Sequence, residues 1–64
     1  MQINIDKIER ERLRLGLDRI QLARAMGMHY QGLDYIYKTK QTKLPTIQRM
    51  ADFFGLDPKD LLTN

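Results

Sequence analysis

The 64-residue sequence lacks several residue types, and each absence removes a class of function. It has no cysteine, so disulfides, thiolate metal sites and thiol catalysis are excluded. Its single histidine, His29, cannot build a zinc site alone. Serine is also absent, and four threonines, one histidine and no glycine-rich phosphate loop supply no nucleophile–base set. We therefore expect no enzyme activity, no metal, no cofactor and no small-molecule ligand.

Long apolar segments and a signal-peptide pattern are missing as well. We therefore expect neither a membrane span nor secretion, and a cytoplasmic location. The length suits one domain, residues 1–64. A chain this short buries only about 60% of the surface that its unfolded form exposes. Without disulfides or a metal, tight helix packing, with or without a dimer interface, has to supply the stability.

The residue pattern predicts an all-α fold, a compact bundle of about five short helices. Strand signals are weak, because valine is absent and no segment alternates strictly between apolar and polar residues. Gly16, Gly27 and Gly55 suit helix ends, and Asp18 with Gln21 matches a capping box at a helix start. The expected helices span roughly residues 5–15, 19–26 and 30–38, then 45 to the glycine at 55, with a final turn from 57.

Positive charge is concentrated in the middle of the chain. The net charge is +3, but residues 10–43 carry eight Lys or Arg against three acids, whereas residues 1–9 and 44–64 each have a net charge of −1. Lys38, Lys40 and Lys43 follow one another without an intervening acid. A polyanionic partner is compatible with this distribution, although a solvated basic loop would have the same composition.

The junction between the second and third predicted helices has the spacing of a helix-turn-helix. Two helices that cross steeply through a short turn must approach closely, and Ala23 provides a small contact residue. Gly27 can adopt the left-handed conformation that the turn needs. Leu33 and Ile36, three residues apart, suit the inward face of the third helix. We therefore expect a helix-turn-helix core over residues 18–38.

These residues resemble a known family. The segment LGLDRIQLARAMGMHYQGLDYIY (residues 15–37) resembles the helix-turn-helix of the Xre family, the lambdoid-phage repressors and Cro proteins. The segment IQRMADFFGLDPKDLL (residues 47–62) resembles the fourth and fifth helices of that family in register. The resemblance implies a lambda-repressor-like fold and sequence-specific binding of double-stranded DNA. It further implies a nucleoid-associated transcriptional repressor or regulator that acts as a homodimer on a palindromic operator.

The resemblance also assigns roles to individual positions. Residues expected to read base edges lie on the third helix: Tyr30, Gln31, Asp34 and Tyr35. Residues expected to contact phosphates lie at helix starts and in the basic loop: Asp18, Arg19, His29, Lys38, Lys40, Thr42 and Lys43. Several of these have plainer alternatives. His29 could serve only as a cap or turn residue, Asp34 could pair with a nearby lysine, and the tyrosines could only pack at the edge.

The sequence departs from the family at two places. Thr39 stands where the family usually has a glycine after the third helix. Arg12 matches an arginine that several members bury against a glutamate, but Tyr37 stands at the position of that glutamate. We expect Arg12 to lie against the Tyr37 ring, with its guanidinium at the surface or on backbone carbonyls, and Glu9 and Asp34 as the nearest acids.

Two other functions fit the same fold. The chain could be a protein-binding module, such as an antirepressor or antitoxin, or it could bind RNA. The basic loop and the polar face of the third helix favour DNA. The sequence also leaves open whether this is a complete regulator or the DNA-binding part of a longer protein.

Overall fold

Four α-helices and one 3-10 turn form the bundle, which confirms the all-α prediction. The computed structural model describes residues 1–63. The helices are α1 (Ile5–Arg14), α2 (Arg19–Ala25), α3 (Tyr30–Thr39) and α4 (Leu44–Phe54), followed by a 3-10 turn (Pro58–Leu61). Helices α1 and α2 end one residue earlier than the sequence predicted, α3 ends one residue later, and α4 begins one residue earlier.

Each helix contributes apolar side chains to one central core. Ile8 of α1, Leu22 of α2, Leu33 of α3 and Ile47 of α4 are fully buried, and Leu61 closes the core from the 3-10 turn. Burial of each such side chain contributes about 1.5–3 kcal/mol. The other core residues are Ile3, Ala23, Met26, Ile36, Tyr37, Met50, Ala51 and Phe54. The fold therefore rests on helix packing, as the length and the lack of cysteine required.

Capping at the start of α2 has the predicted form. The Asp18 carboxylate accepts a hydrogen bond from the Gln21 amide at 2.7 Å, and the Gln21 side chain accepts from the Asp18 amide at 2.9 Å. This capping box satisfies two amides that the first turn of a helix leaves without partners. Asp57 caps the 3-10 turn by accepting from the Lys59 amide. The predicted capping box at Asp18 and the predicted start of the final turn at residue 57 are therefore both confirmed.

An extended N-terminal segment, residues 1–4, was not predicted. Ile3 is buried, and its amide donates to the Lys40 carbonyl at 2.9 Å. On the other side of the segment, the Asn4 amide donates to the Leu61 carbonyl at 2.7 Å. The Thr42 amide donates to the Met1 carbonyl at 3.0 Å. The segment therefore joins the loop between α3 and α4 to the C-terminal part of the chain.

The residue after α3 has a left-handed backbone. Lys40 has a φ of 57° and is the one non-glycine residue with positive φ within residues 1–63. Thr39, which the sequence comparison aligned with the family's glycine, is instead the last helical residue. Its hydroxyl donates to the Tyr35 carbonyl at 2.8 Å. The glycine-like backbone conformation therefore falls one position later than the resemblance suggested.

Candidate nucleic-acid interface

The turn between α2 and α3 has the geometry of a helix-turn-helix. Gly27 has a φ of 69°, in the left-handed region. The Met28 amide donates to the Ala23 carbonyl at 2.9 Å, which closes the turn directly over the small, buried contact residue. From α4, the Arg49 guanidinium donates to the Met26 carbonyl at 3.0 Å. The sequence analysis did not identify Arg49, which ties the turn to the fourth helix.

The first two residues of α3, Tyr30 and Gln31, present their side chains to solvent, whereas Leu33 in the same turn is buried. His29 occupies the N-cap position, but its side chain makes no capping hydrogen bond. Tyr30 and Gln31 are exposed. Among residues 1–63, neither of these two side chains has a hydrogen-bond partner in the protein. Their polar groups are thus available to an external partner.

Further along α3, Tyr35 is 66% exposed, and helical spacing places Gln31, Tyr35 and Lys38 on one outward face. Asp34 lies beside this face and forms an ion pair with Lys38 at 3.0 Å. This is the lysine pairing that the sequence left open for Asp34. The pair is exposed on the lysine side, so it contributes little to stability.

The lysines that follow form a basic edge beside α3. Lys38, Lys40 and Lys43 are exposed. Thr42 is half-buried, and its backbone is held by the N-terminal segment through the bond to Met1. The loop backbone is therefore fixed, and the charged ends of Lys40 and Lys43 remain exposed to a polyanion, whereas Lys38, near the end of α3, is paired with Asp34.

At the start of α2, Asp18 is exposed but its carboxylate is engaged in the capping box. The neighbouring Arg19 places its guanidinium carbon 4.1 Å from the centre of the Tyr37 ring. Its Nε lies 3.4 Å from a carboxylate oxygen of Glu9, and the side chain remains 42% exposed. Two contacts thus orient Arg19 without removing it from solvent.

The face of the Tyr37 ring is covered by Arg19 and not by Arg12, which corrects the expected stacking; Arg12 lies instead near the Tyr37 hydroxyl. Arg12 instead donates from Nε and Nη2 to the two oxygens of Glu9. Its Nη1 donates to the Leu17 carbonyl at 2.7 Å. The expected use of a backbone carbonyl and of Glu9 is therefore confirmed. The carboxylate that pairs with Arg12 comes from α1 itself and not from the third helix, where the resemblance placed it.

The ionisable groups around Tyr37 influence one another. The hydrogen bonds from Arg12, with smaller contributions from the Tyr37 hydroxyl and from Arg19, hold the pKa of the Glu9 carboxyl below its usual range. Burial, reinforced by the nearby Glu9 carboxylate, raises the pKa of the Tyr37 hydroxyl. That hydroxyl is buried, and within residues 1–63 it has no partner at good hydrogen-bonding geometry. Tyr37 is therefore a neutral ring beneath a charged arginine.

Gly32 is a further residue that the sequence analysis missed. It is an exposed helical residue in the first turn of α3, next to Gln31. A Cβ atom added there would meet no atom within 4 Å. The fold therefore leaves open space at this position of the exposed surface.

Within the part of the chain that the structure describes, no cluster of three His, Cys, Asp or Glu side chains could hold a metal ion. Over the same residues, no helix combines the length and the apolar character needed to cross a bilayer.

Comparison with known proteins identifies one family. A family model described as a Cro/C1-type HTH DNA-binding domain matches residues 4–63. A search of curated proteins and a search of solved structures gave no match.

Proposed function

Because the chain belongs to the Cro/C1-type helix-turn-helix DNA-binding family, we propose that it is a sequence-specific regulator of transcription. The proposal relies most on one observation at the start of α3, where Tyr30 and Gln31 are exposed and their side chains make no hydrogen bond within residues 1–63. Such a helix fits the major groove of B-DNA, where each base pair presents a distinct pattern of donors and acceptors. The proposal places the protein in the cytoplasm, bound to the DNA of the nucleoid.

Base reading is assigned to the outward side of α3. The Gln31 amide can both accept from N6 and donate to N7 of adenine. Tyr30 can pack on a thymine methyl group, and Tyr35 is a second reader on the same helix. Asp34 can accept from N4 of cytosine with the carboxylate oxygen that its ion pair with Lys38 leaves over. Gln31 is exposed and can read a base without giving up an ion pair.

Phosphate contacts are assigned to the groups beside this helix. Lys38 near the end of α3, with Lys40 and Lys43 after it, supplies exposed charge, and Thr42 lies between the last two. At the start of α2, Arg19 supplies a charge-assisted donor. The capping box of Asp18 engages the backbone amides of residues 18 and 21, and the first-turn amides between them lie at the positive end of the helix. His29, at the start of α3, is the last member of this set. These contacts set register and orientation and carry no sequence information directly.

We further propose a homodimer on a palindromic operator. One helix-turn-helix unit contacts about half of an operator, and two-fold related units would place half-sites about 34 Å apart, one turn of the duplex. A dimer bound across a promoter would repress by excluding the polymerase. The protein-binding alternative predicts a different ligand and a weaker dependence on salt.

A salt titration of one selected duplex tests the proposal. Binding-site selection from random duplexes should give a palindromic site, and the logarithm of affinity should fall with the logarithm of salt by about 0.9 per phosphate neutralised. Lys40→Ala and Lys43→Ala should each lower that slope by about one and weaken all sequences alike. Lys59→Ala, which removes the same charge from the 3-10 turn, is the matched control. Binding that ignores salt, with no enriched sequence, would refute DNA recognition and favour a protein partner.

A further inference from the structure

Two contacts orient the side chain of the partly exposed Arg19, and its ion pair with Glu9 is not needed to compensate the charge of that acid. Its guanidinium lies over the Tyr37 ring at 4.1 Å and contacts Glu9 at 3.4 Å. Glu9 already has Arg12 on both carboxylate oxygens, so its charge is compensated without Arg19. The ion pair between Glu9 and Arg19 is thus the longer and more replaceable of the two.

Tyr37 is an unusual choice for the buried end of α3. The side chain is only 8% exposed. Its hydroxyl lies near Glu9 and Arg12 but forms a well-aligned hydrogen bond with neither within residues 1–63, so an apolar side chain of similar size would fill the core as well. The ring directly beneath Arg19, in contrast, makes a contact that an aliphatic side chain could not make.

We propose that Tyr37 is a positioning residue for Arg19. The flat ring, with support from Glu9, keeps the guanidinium ordered at the start of α2 before DNA arrives. An arginine ordered in advance loses less conformational freedom when it meets a phosphate, so affinity rises without a new contact. On binding, Arg19 exchanges Glu9 for phosphate and remains stacked on Tyr37. This inference rests on the proposed phosphate contact of Arg19.

The test is a double-mutant cycle of DNA affinity in the full chain, measured at a temperature where every variant is folded. Tyr37→Leu removes the platform and should weaken binding about two- to tenfold, the range for ordering one flexible side chain. Tyr37→Phe keeps the ring and should bind like the parent. Arg19→Ala should lower the salt slope by about one, whereas Tyr37→Leu should leave it unchanged. The double variant should bind no more weakly than Arg19→Ala alone, since the platform acts only through the arginine.

Each other outcome contradicts a specific step. Losses that multiply in the double variant would show that Tyr37 acts through the fold and not through Arg19. If Arg19→Ala kept the affinity and the salt slope of the parent, and the parent bound DNA, the proposed phosphate contact of Arg19 would be refuted. A parent without salt-dependent DNA binding would overturn the proposed function instead. If Tyr37→Leu does not fold, NMR of the parent decides, because Arg19 side-chain protons over a ring must show upfield ring-current shifts, and their absence would overturn the proposal.

A separate observation leads to a second inference, about Gly32. Glycine inside a helix is less favourable than alanine, because it loses more backbone freedom on folding. Gly32 is helical and exposed, and an added Cβ would meet nothing within 4 Å. The protein fold therefore gives no reason for a glycine at this position.

We infer that Gly32 lets α3 approach the DNA closely, so that the missing side chain leaves room for the duplex beside Gln31. Gly32→Ala should then have opposite effects on the two properties. It should raise the melting temperature by about 3–8 °C and weaken binding to the selected duplex at least tenfold. Gln48→Ala, at an exposed position within α4, should change neither property strongly. Unchanged DNA affinity in Gly32→Ala, with the parent still binding, would overturn this inference and leave the proposed function intact.

Discussion

The two ends of α3 differ in how much of their chemistry the fold uses. At the first end, residues 29–32, the N-cap side chain makes no hydrogen bond, and Tyr30 and Gln31 are exposed. At the second end, residues 36–40, Ile36 and Tyr37 are buried, and the Lys40 carbonyl accepts from the N-terminal segment. We call these the free end and the anchored end. Substitutions at the free end should disturb the fold little, so this end is suited to the proposed base recognition. The anchored end fixes the position of the helix and of its basic edge.

The largest effect is expected where the anchored end is attached. Ile3→Ala should lower the free energy of unfolding by about 2–5 kcal/mol, because it opens a cavity where a fully buried side chain stood. That is a large part of the total for 64 residues, which at about 0.05–0.15 kcal/mol per residue is about 3–10 kcal/mol. Urea denaturation measures the change, and exposed Gln2→Ala, expected within about 0.5 kcal/mol of the parent, is the control. Equal stability of the two variants would show that the segment does not anchor the loop.

At the free end, the expected effect is on recognition. Gln31→Ala should cost about 1–3 kcal/mol of binding free energy on the selected duplex and little on random DNA, with no loss of stability. Paired titrations of the two duplexes measure this, and Gln48→Ala on α4 removes the same side chain outside α3. Equal losses on both duplexes would make Gln31 a backbone contact and would remove the distinction between the two ends.

Substitutions at Lys40 test whether its left-handed backbone at the anchored end lowers the stability of the fold. A left-handed backbone is unfavourable by about 1–2 kcal/mol for residues with a Cβ, so Lys40→Gly should raise the free energy of unfolding by about 1 kcal/mol. It should also weaken DNA binding, since the charge is lost. Lys38→Gly loses the same charge inside a helix and should destabilise by about 1 kcal/mol. Urea titration of both variants, with DNA affinity beside it, separates charge from backbone. Destabilisation by Lys40→Gly would mean that the φ of 57° is not a source of strain.

The smallest expected effect concerns pH and the acid beneath Arg19. The pKa of Glu9 is lowered in the folded protein, chiefly by its hydrogen bonds from Arg12. The associated stability is therefore present above the ordinary value of 4.5 and is lost as pH falls through the lower, folded value. Glu9→Gln should flatten the decline in stability below pH 4.5. Glu11→Gln, which removes a carboxylate paired with Arg14, should flatten it less. The reverse order, read from urea midpoints across this pH range, would contradict the assignment of Glu9 as the shared acid.

The sequence predicted the parts of the molecule that depend on near neighbours. The capping box joins Asp18 and Gln21, three positions apart, and the turn at Gly27 is fixed by contacts to Ala23 and Arg24. Positions such as Gln31 came from the resemblance, and their roles remain proposals. The family match supports DNA binding by the chain. Periodicity and caps were therefore enough for the fold, but not for the chemistry of its surface.

The features that were missed depend on how distant segments meet. Whether Arg12 or Arg19 covers Tyr37 depends on how α1 and α2 pack against α3, which no local pattern encodes. The burial of Ile3 depends on Lys40 and on the C-terminal segment, both far away in sequence. The left-handed backbone at position 40 was not predicted, because the residue there is a lysine and not the glycine or asparagine that usually adopts this conformation.

The N-terminal segment also has a consequence for the order in which the chain folds. The turn between α2 and α3 closes between residues only a few positions apart, and such closures take place early because little chain entropy is lost. The bonds from Ile3 to Lys40 and from Asn4 to Leu61 close loops of 37 and 57 residues. The contacts of the helix-turn-helix therefore cost less loop-closure entropy than the contacts that fix the basic loop. Holding the loop's lysines beside α3 is thus the part of the fold that depends most on both ends of the chain being in place.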